Sequence, residues 1–181
     1  MNIITRSALA TLGLAFAASC LPAHAEVATH ELMSNAISKC QAFTPGPTNT
    51  IRNRVVGSEN IGAKMNVACA FDMMTNGATS ASPKSLVVYF SNNGTSPVTV
   101  TCTLLTGYQG DSGMYMVTKT TAPIGPGGTD QQYLQWDATD NPSFGATDLG
   151  NQLVGINCAL PTNAVINDTY LDWDQDNGVN D

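Results

Sequence analysis

The residues best spaced for chemistry lie near the end of the chain. Asp172, Asp174 and Asp176 stand at alternate positions ahead of Gly178, and Asp181 is the last residue. Hard carboxylate oxygens one residue apart, with a glycine to turn the backbone, are how Asp-x-Asp-x-Asp-Gly loops wrap a Ca²⁺ ion. Two departures weaken the match. Gly178 comes one residue late, and no distal bidentate acid follows. A strand with Asp172 and Asp174 toward solvent, Leu171 and Trp173 inward, and a frayed acidic end explains the same letters. That reading is favoured, and calcium ligation by Asp172, Asp174, Asp176 and Asp181 is the alternative.

Other constellations carry less. Gly110-Asp111-Ser112-Gly113 matches the letters around a serine-protease nucleophile, but Met114 and Tyr115 follow it. Such a nucleophile needs a histidine base oriented by an acid, and His30 is the only histidine beyond the leader. A turn between strands accounts for the four residues. There is no Gly-x-Ser-x-Gly elbow, His-Glu-x-x-His helix or phosphate loop. Paired carboxylates for glycoside hydrolysis are hard to assemble, because only Glu26, Glu31 and Glu59 supply glutamate and none sits in an identifiable cleft. The sequence therefore predicts no catalytic residue and no obligatory cofactor. Trp136, Tyr133, Tyr108 and Tyr115 could form an aromatic platform for sugar, although aromatics on alternating strands more often serve the core.

Residues 1–25 read as an export signal of compact, bacterial type. Arg6 is the only charge, Ala8–Ala18 is apolar and short, and Ala23-His24-Ala25 offers a small-x-small cleavage site. The apolar run falls short of the ~20 residues that span a bilayer, and none follows, so no transmembrane segment is expected. Ala17-Ala18-Ser19-Cys20 is a poor lipobox, which makes lipidation of Cys20 a minor alternative to secretion or to a periplasmic or cell-surface location. Glu26–Asp181 then forms one domain.

Four cysteines remain in it: Cys40, Cys69, Cys102 and Cys158. In an exported chain they predict two disulfides, with three connectivities open. Cys69, Cys102 and Cys158 share the apolar side of their strands, which suits buried bridges between facing strands. Cys40 can only tie the N-terminal segment to the body. The preferred pairing is Cys40–Cys69 with Cys102–Cys158, each bridge contributing ~2–4 kcal/mol. No Cys-x-x-Cys pair points to a metal instead.

The charge is acidic and uneven. The net charge is −7, and beyond Lys119 the chain carries nine Asp and no Lys or Arg. Such a field repels phosphate backbones and argues against nucleic acid as a partner.

These residues must be positioned mainly by strands. Leu32, Met33, Ala36, Ile37 and Cys40 fall at helical spacing, which predicts a short N-terminal helix over Glu31–Cys40. From Ile51 onward the text is strands and turns. Val67–Phe71 alternates, and Leu86–Phe90 is continuously apolar, as for a central strand covered on both faces. Val98–Leu104 alternates with its threonines outward. Gly113–Thr121, Tyr133–Trp136, Val154–Leu160 and Val165–Trp173 follow. Seven to nine short strands with turn chemistry between them call for an antiparallel β-sandwich, jelly-roll or immunoglobulin-like.

The order of Cys40, Val67-Ala68-Cys69, the strand carrying Cys102, and Cys158-Ala159-Leu160-Pro161 with Tyr170 beyond resembles a group of small exported bacterial four-cysteine proteins. Ala70 stands where that group carries Pro, and the acidic tail lies outside its pattern. The resemblance implies a disulfide-stapled β-sandwich and carries no activity with it. The sequence accordingly predicts a non-enzymatic exported module acting through its surface at the cell surface, in a matrix or in the medium. Its partner would be a glycan, a protein or another copy of itself. The alternative is a carbohydrate-binding or calcium-dependent lectin-like domain, and a hydrolase comes a distant third.

Overall fold

A computed structural model describes residues 27–43, 50–73, 81–107, 114–128, 132–140, 149 and 153–176. The predicted export signal, Cys20, Tyr108, residues 110–113 and Asp181 lie outside the described residues.

Among the described residues eleven strands, most of them built on alternating apolar residues, form two antiparallel sheets packed as a sandwich. The first sheet runs β3 (Ile51–Arg54), β4 (Gly57–Asn60), β11 (Ala164–Asp176), β6 (Ala81–Asn92), β9 (Gln132–Asp137). β1 (Val27–Asn35) pairs with β11 on the same side as β4, taking the stretch from Asp168 to Asp176 while β4 takes Val165 and Ile166. The second sheet runs β2 (Cys40–Ala42), β5 (Met65–Phe71), β10 (Val154–Leu160), β7 (Thr101–Thr106), β8 (Tyr115–Thr120).

The core lies between the sheets. Leu86, Val88 and Phe90 of β6, with Leu134 and Trp136 of β9, face Cys69, Leu104, Ile156 and Leu160 of the second sheet in one buried cluster. Period-two burial in β10, where Val154, Ile156, Cys158 and Leu160 all point in, is the strand signature that the sequence carries openly. Along the β8–β9 side, polar side chains tie the two sheets. The Trp136 indole Nε1 donates to the Val117 carbonyl at 3.2 Å, and Lys119 Nζ reaches the Gln135 carbonyl at 2.6 Å.

Three expectations change. The segment predicted as a short N-terminal helix is strand β1 followed by a single 3-10 turn, Ala36–Ser38. Pairing along nine residues of β11 outweighs the local helical spacing, and it leaves Met33 72% exposed. Leu86–Phe90 is central in its sheet but covered on one face only, because Val87 and Tyr89 point outward and stay half-buried. The disulfides join Cys40 to Cys69 and Cys102 to Cys158. They do not bridge facing sheets. Each pair is directly opposed on neighbouring strands of the second sheet, β2 with β5 and β7 with β10, at a Cα separation of 4.0 Å. Alternation explains this, since cross-strand partners point to the same side and bring their sulphurs together on the core face.

Strand β4 left no apolar signal, because its sequence is Gly57-Ser58-Glu59-Asn60, yet all four residues are buried. Polar partners replace apolar packing. Glu59 is held by Arg54 and Arg52 and accepts from Asn93 Nδ2 at 3.1 Å. Asn60 Nδ2 donates to the Ala63 and Leu160 carbonyls at 2.8 Å. Gly57 makes the approach feasible, for at its φ of +140° a Cβ would lie 2.1 Å from the Ile166 oxygen.

Candidate functional site

The outer face of the first sheet gathers most of the chemistry. Once Leu134 and Trp136 of β9 point inward, Tyr133 and Gln135 must point out. The same alternation sends Val87 and Tyr89 of β6 outward, with Tyr170 and Asp172 of β11 and Glu31 and Met33 of β1. Register then aligns them: Tyr133 opposes Tyr89, Val87 opposes Tyr170, and Glu31 opposes Asp172. The Tyr89 and Tyr133 rings lie 5.9 Å apart, tilted by 49°, and Tyr133 is 57% exposed. Tyr170 is diagonal to Tyr89 on the next strand, so three phenols cross three adjacent strands.

Carboxylates border this aromatic strip. The Tyr170 hydroxyl donates to Glu31, which pushes the phenol up to about 12, helped by burial and by the charges of Glu31 and Asp172. Asp172 is raised from the ordinary carboxylate range, first by desolvation and then by Asp174 and Glu31, with Lys84 opposing. Its Oδ1 is shielded from solvent and has no hydrogen-bond partner among the described residues. For Asp174, burial acts upward, but the Lys84 ammonium at 3.0 Å and the Thr29 hydroxyl at 2.9 Å outweigh it and hold the carboxyl low. Asp137 closes the strip on β9 and is lowered by hydrogen bonds from the Thr139 hydroxyl and backbone N–H, against a smaller upward effect of burial. One end of the face is therefore aromatic and the other anionic.

The tail residues fall into this picture in part. Asp172 and Asp174 share the outward side of β11, and Asp176 ends the strand opposite Val27. An extended strand spaces alternate Cα atoms by ~6.6 Å, and Asp174 is already engaged by Lys84 and Thr29. Among the described residues no group of three or more His, Cys, Asp or Glu is arranged to hold a metal ion.

The remaining candidates separate. Trp136 is fully buried in the core, and Tyr115 belongs to the other sheet, where its hydroxyl donates to the Asp140 carbonyl at 2.6 Å. Of the described members of the aromatic set read from the sequence, Tyr133 alone stands on this face. Tyr89 and Tyr170 were missed. Tyr89 sat inside a run read as covered on both sides, and Tyr170 read as a strand ending. The signal that finds both is the register of three strands, which no single segment contains. His30 stacks on Trp173 with ring centroids 5.4 Å apart. Glu59 is locked between arginines rather than presented to solvent.

No family model matches the chain, and no curated protein matches it. Among solved structures it is similar to an exo-β-1,3-galactanase from Phanerochaete chrysosporium with galactose, at 12% identity, 78% of this chain, 29% of that chain and a TM-score of 0.41. The chain thus spans less than a third of that protein. It is also similar to a CBM35 from Cellvibrio japonicus, at 15% identity over 77% of this chain and 92% of that chain, TM-score 0.41. A third is a CBM61 in complex with β-1,4-galactotriose, at 7% identity over 81% of this chain and 84% of that chain, TM-score 0.35. Overlaps this loose transfer no residue role. Fold and site together define a two-sheet β-sandwich bearing a tyrosine strip with an acidic border.

Proposed function

We propose that this protein is an exported, non-enzymatic module that binds carbohydrate on the outer face of its first sheet. One observation carries the reading: Tyr133, Tyr89 and Tyr170 lie on adjacent strands of an open face, with Glu31 and Asp172 directly beside them. Sugar rings have an apolar C–H face and an equatorial girdle of hydroxyls. The exposed Tyr133 ring supplies a surface for the first, with Tyr89 beside it. Carboxylate oxygens and the Gln135 amide pair with the second, charge-assisted acceptors making the stronger bonds. Two disulfides support export, since such bridges persist in oxidising compartments. No helix among the described residues is long and apolar enough to cross a membrane.

Binding is preferred to hydrolysis because Glu31 and Asp172 lie on a sheet face rather than in a water-excluding cleft, and Glu31 is engaged by Tyr170. A glycosidase needs one carboxyl poised as an acid over the scissile bond. The test is affinity electrophoresis against soluble neutral polysaccharides, with a reducing-end assay run beside it. Retardation that disappears in Tyr133→Ala supports the reading. Retardation unchanged in Tyr133→Ala and Tyr89→Ala, or release of reducing ends, overturns it.

A further inference from the structure

The outer face of the second sheet carries a groove of about 430 Å³ on the opposite side of the sandwich from the tyrosine strip. Its floor is made of the smallest side chains available. Ala68 and Ala70 on β5 oppose Asn157 and Gly155 on β10, and both pairs point outward. Phe43 stands on one side, beyond the edge strand β2, and Leu105 and Leu153 stand on the other. Phe43 is 65% exposed and Leu153 48%, and Met116, opposite Leu105 on β8, is 57% exposed. Apolar side chains left in water around a floor of Ala and Gly are a binding surface in waiting. A side chain on Gly155 would fill the floor.

The polar group that decides the occupant is Asn157. It lines the groove between Ala68 and Thr103, and its Oδ1 is shielded from solvent with no hydrogen-bond partner among the described residues. Thr103 does not serve it, being paired with the Thr118 hydroxyl at 2.8 Å. Buried amide acceptors are nearly always satisfied, and an exception calls for a donor. The terminal torsion of Asn is soft, so a small rotation turns this oxygen into the groove. The volume matches small-molecule sites, typically 300–1,000 Å³. A protein partner would need about 800 Å² of surface per side.

We infer that this groove is a second binding site, independent of the glycan face, for a small apolar ring compound carrying one hydrogen-bond donor that meets Asn157 Oδ1. Ring systems suit a slot whose floor is flat and whose walls are a phenyl ring and two leucines. The single donor complements the shielded Asn157 acceptor, while the exposed Asp72 carboxylate also lines the groove.

The test uses N-phenyl-1-naphthylamine, an apolar fluorophore with one N–H, and its N-methyl analogue, which has none. Wild-type protein should give a saturable, one-to-one fluorescence enhancement with a Kd of about ten micromolar, as fits a ligand of this size. The N-methyl analogue should bind several-fold more weakly. Ala70→Trp, at an exposed position, should abolish the enhancement, and Asn157→Leu should erase the preference between the probes. Tyr133→Ala should change neither. An unsaturable signal, equal affinity for the two probes, or enhancement unaltered by Ala70→Trp overturns the assignment. So does concentration-dependent dimerisation that Ala70→Trp abolishes, because the occupant would then be a second copy of this chain.

Discussion

Glu31 on β1 and Tyr170 on β11 are joined by a hydrogen bond across the outer face of the first sheet, and the contact holds the phenol in its neutral form. The phenol O–H donates to the carboxylate and keeps its proton, so the phenol is held neutral above its usual range. The same bond keeps Glu31 beside the tyrosine strip.

The first prediction follows from that pair. Tyr170 should titrate at about 12 in the folded protein, against an ordinary tyrosine near 10. The folded state therefore holds more protons than the unfolded state between about pH 10 and 12. Its stabilising contribution is complete below the unfolded value and is lost as pH rises through the folded one. Spectrophotometric titration of phenolate in wild type and Glu31→Gln should show one tyrosine moving back toward 10 in the variant. An unchanged titration refutes the bond.

The two bridges should differ in weight. They close loops with separations of 29 and 56 residues, for which chain entropy gives roughly 3.5 and 4 kcal/mol. Cys102→Ala/Cys158→Ala should therefore destabilise at least as much as Cys40→Ala/Cys69→Ala in urea melts. Because both bridges stay inside one sheet, neither loss should separate the sheets, and near-ultraviolet dichroism from buried Trp136 should persist in both variants below their transitions. Loss of that signal would show that the sulphurs hold the sandwich together.

Gly57 should tolerate nothing larger. An added methyl collides with the Ile166 carbonyl at 2.1 Å in a backbone region that side chains avoid. Gly57→Ala is expected to cost about 2 kcal/mol or more, read as a lower urea midpoint with little change in slope. A neutral substitution would mean that β4 does not lie against β11.

Calcium at the acidic tail requires Asp174 to leave Lys84 and Thr29. Millimolar Ca²⁺ is therefore expected to leave the melting temperature of wild type unchanged. A rise that grows with ion concentration, and is absent in Asp174→Asn, would place a cation against Asp172 and Asp174.

Much of the second sheet was readable one segment at a time. Val154–Leu160 alternates along its whole length, and the threonines of β7 mark their own outward side by pairing with Thr120 and Thr118. Strand β4 was not readable, since Glu59 and Asn60 are buried by polar partners, some neighbouring (Arg52, Arg54, Ala63) and some remote (Asn93, Leu160), and burial of that kind leaves no hydrophobic trace. Strand β1 was misread because helix and strand periodicities both fit a ten-residue stretch, and only β11 decides between them. The tyrosine strip was one-third visible. Tyr133 could be suspected from its own strand, whereas Tyr89 and Tyr170 join it through register alone.

Composition, alternation and the four cysteines determined by themselves that this chain builds two antiparallel β-layers with oxidised sulphur in the core. Those properties are local, because each strand displays its two sides in its own letters. Which strands became neighbours was decided only by tertiary structure, and with it the placement of both disulfides inside one sheet. The same step set three phenols beside Glu31 and Asp172 and left Asn157 facing an apolar groove. Each of these depends on cross-strand register, which arises from the joint burial of segments far apart in the chain and is written in none of them singly.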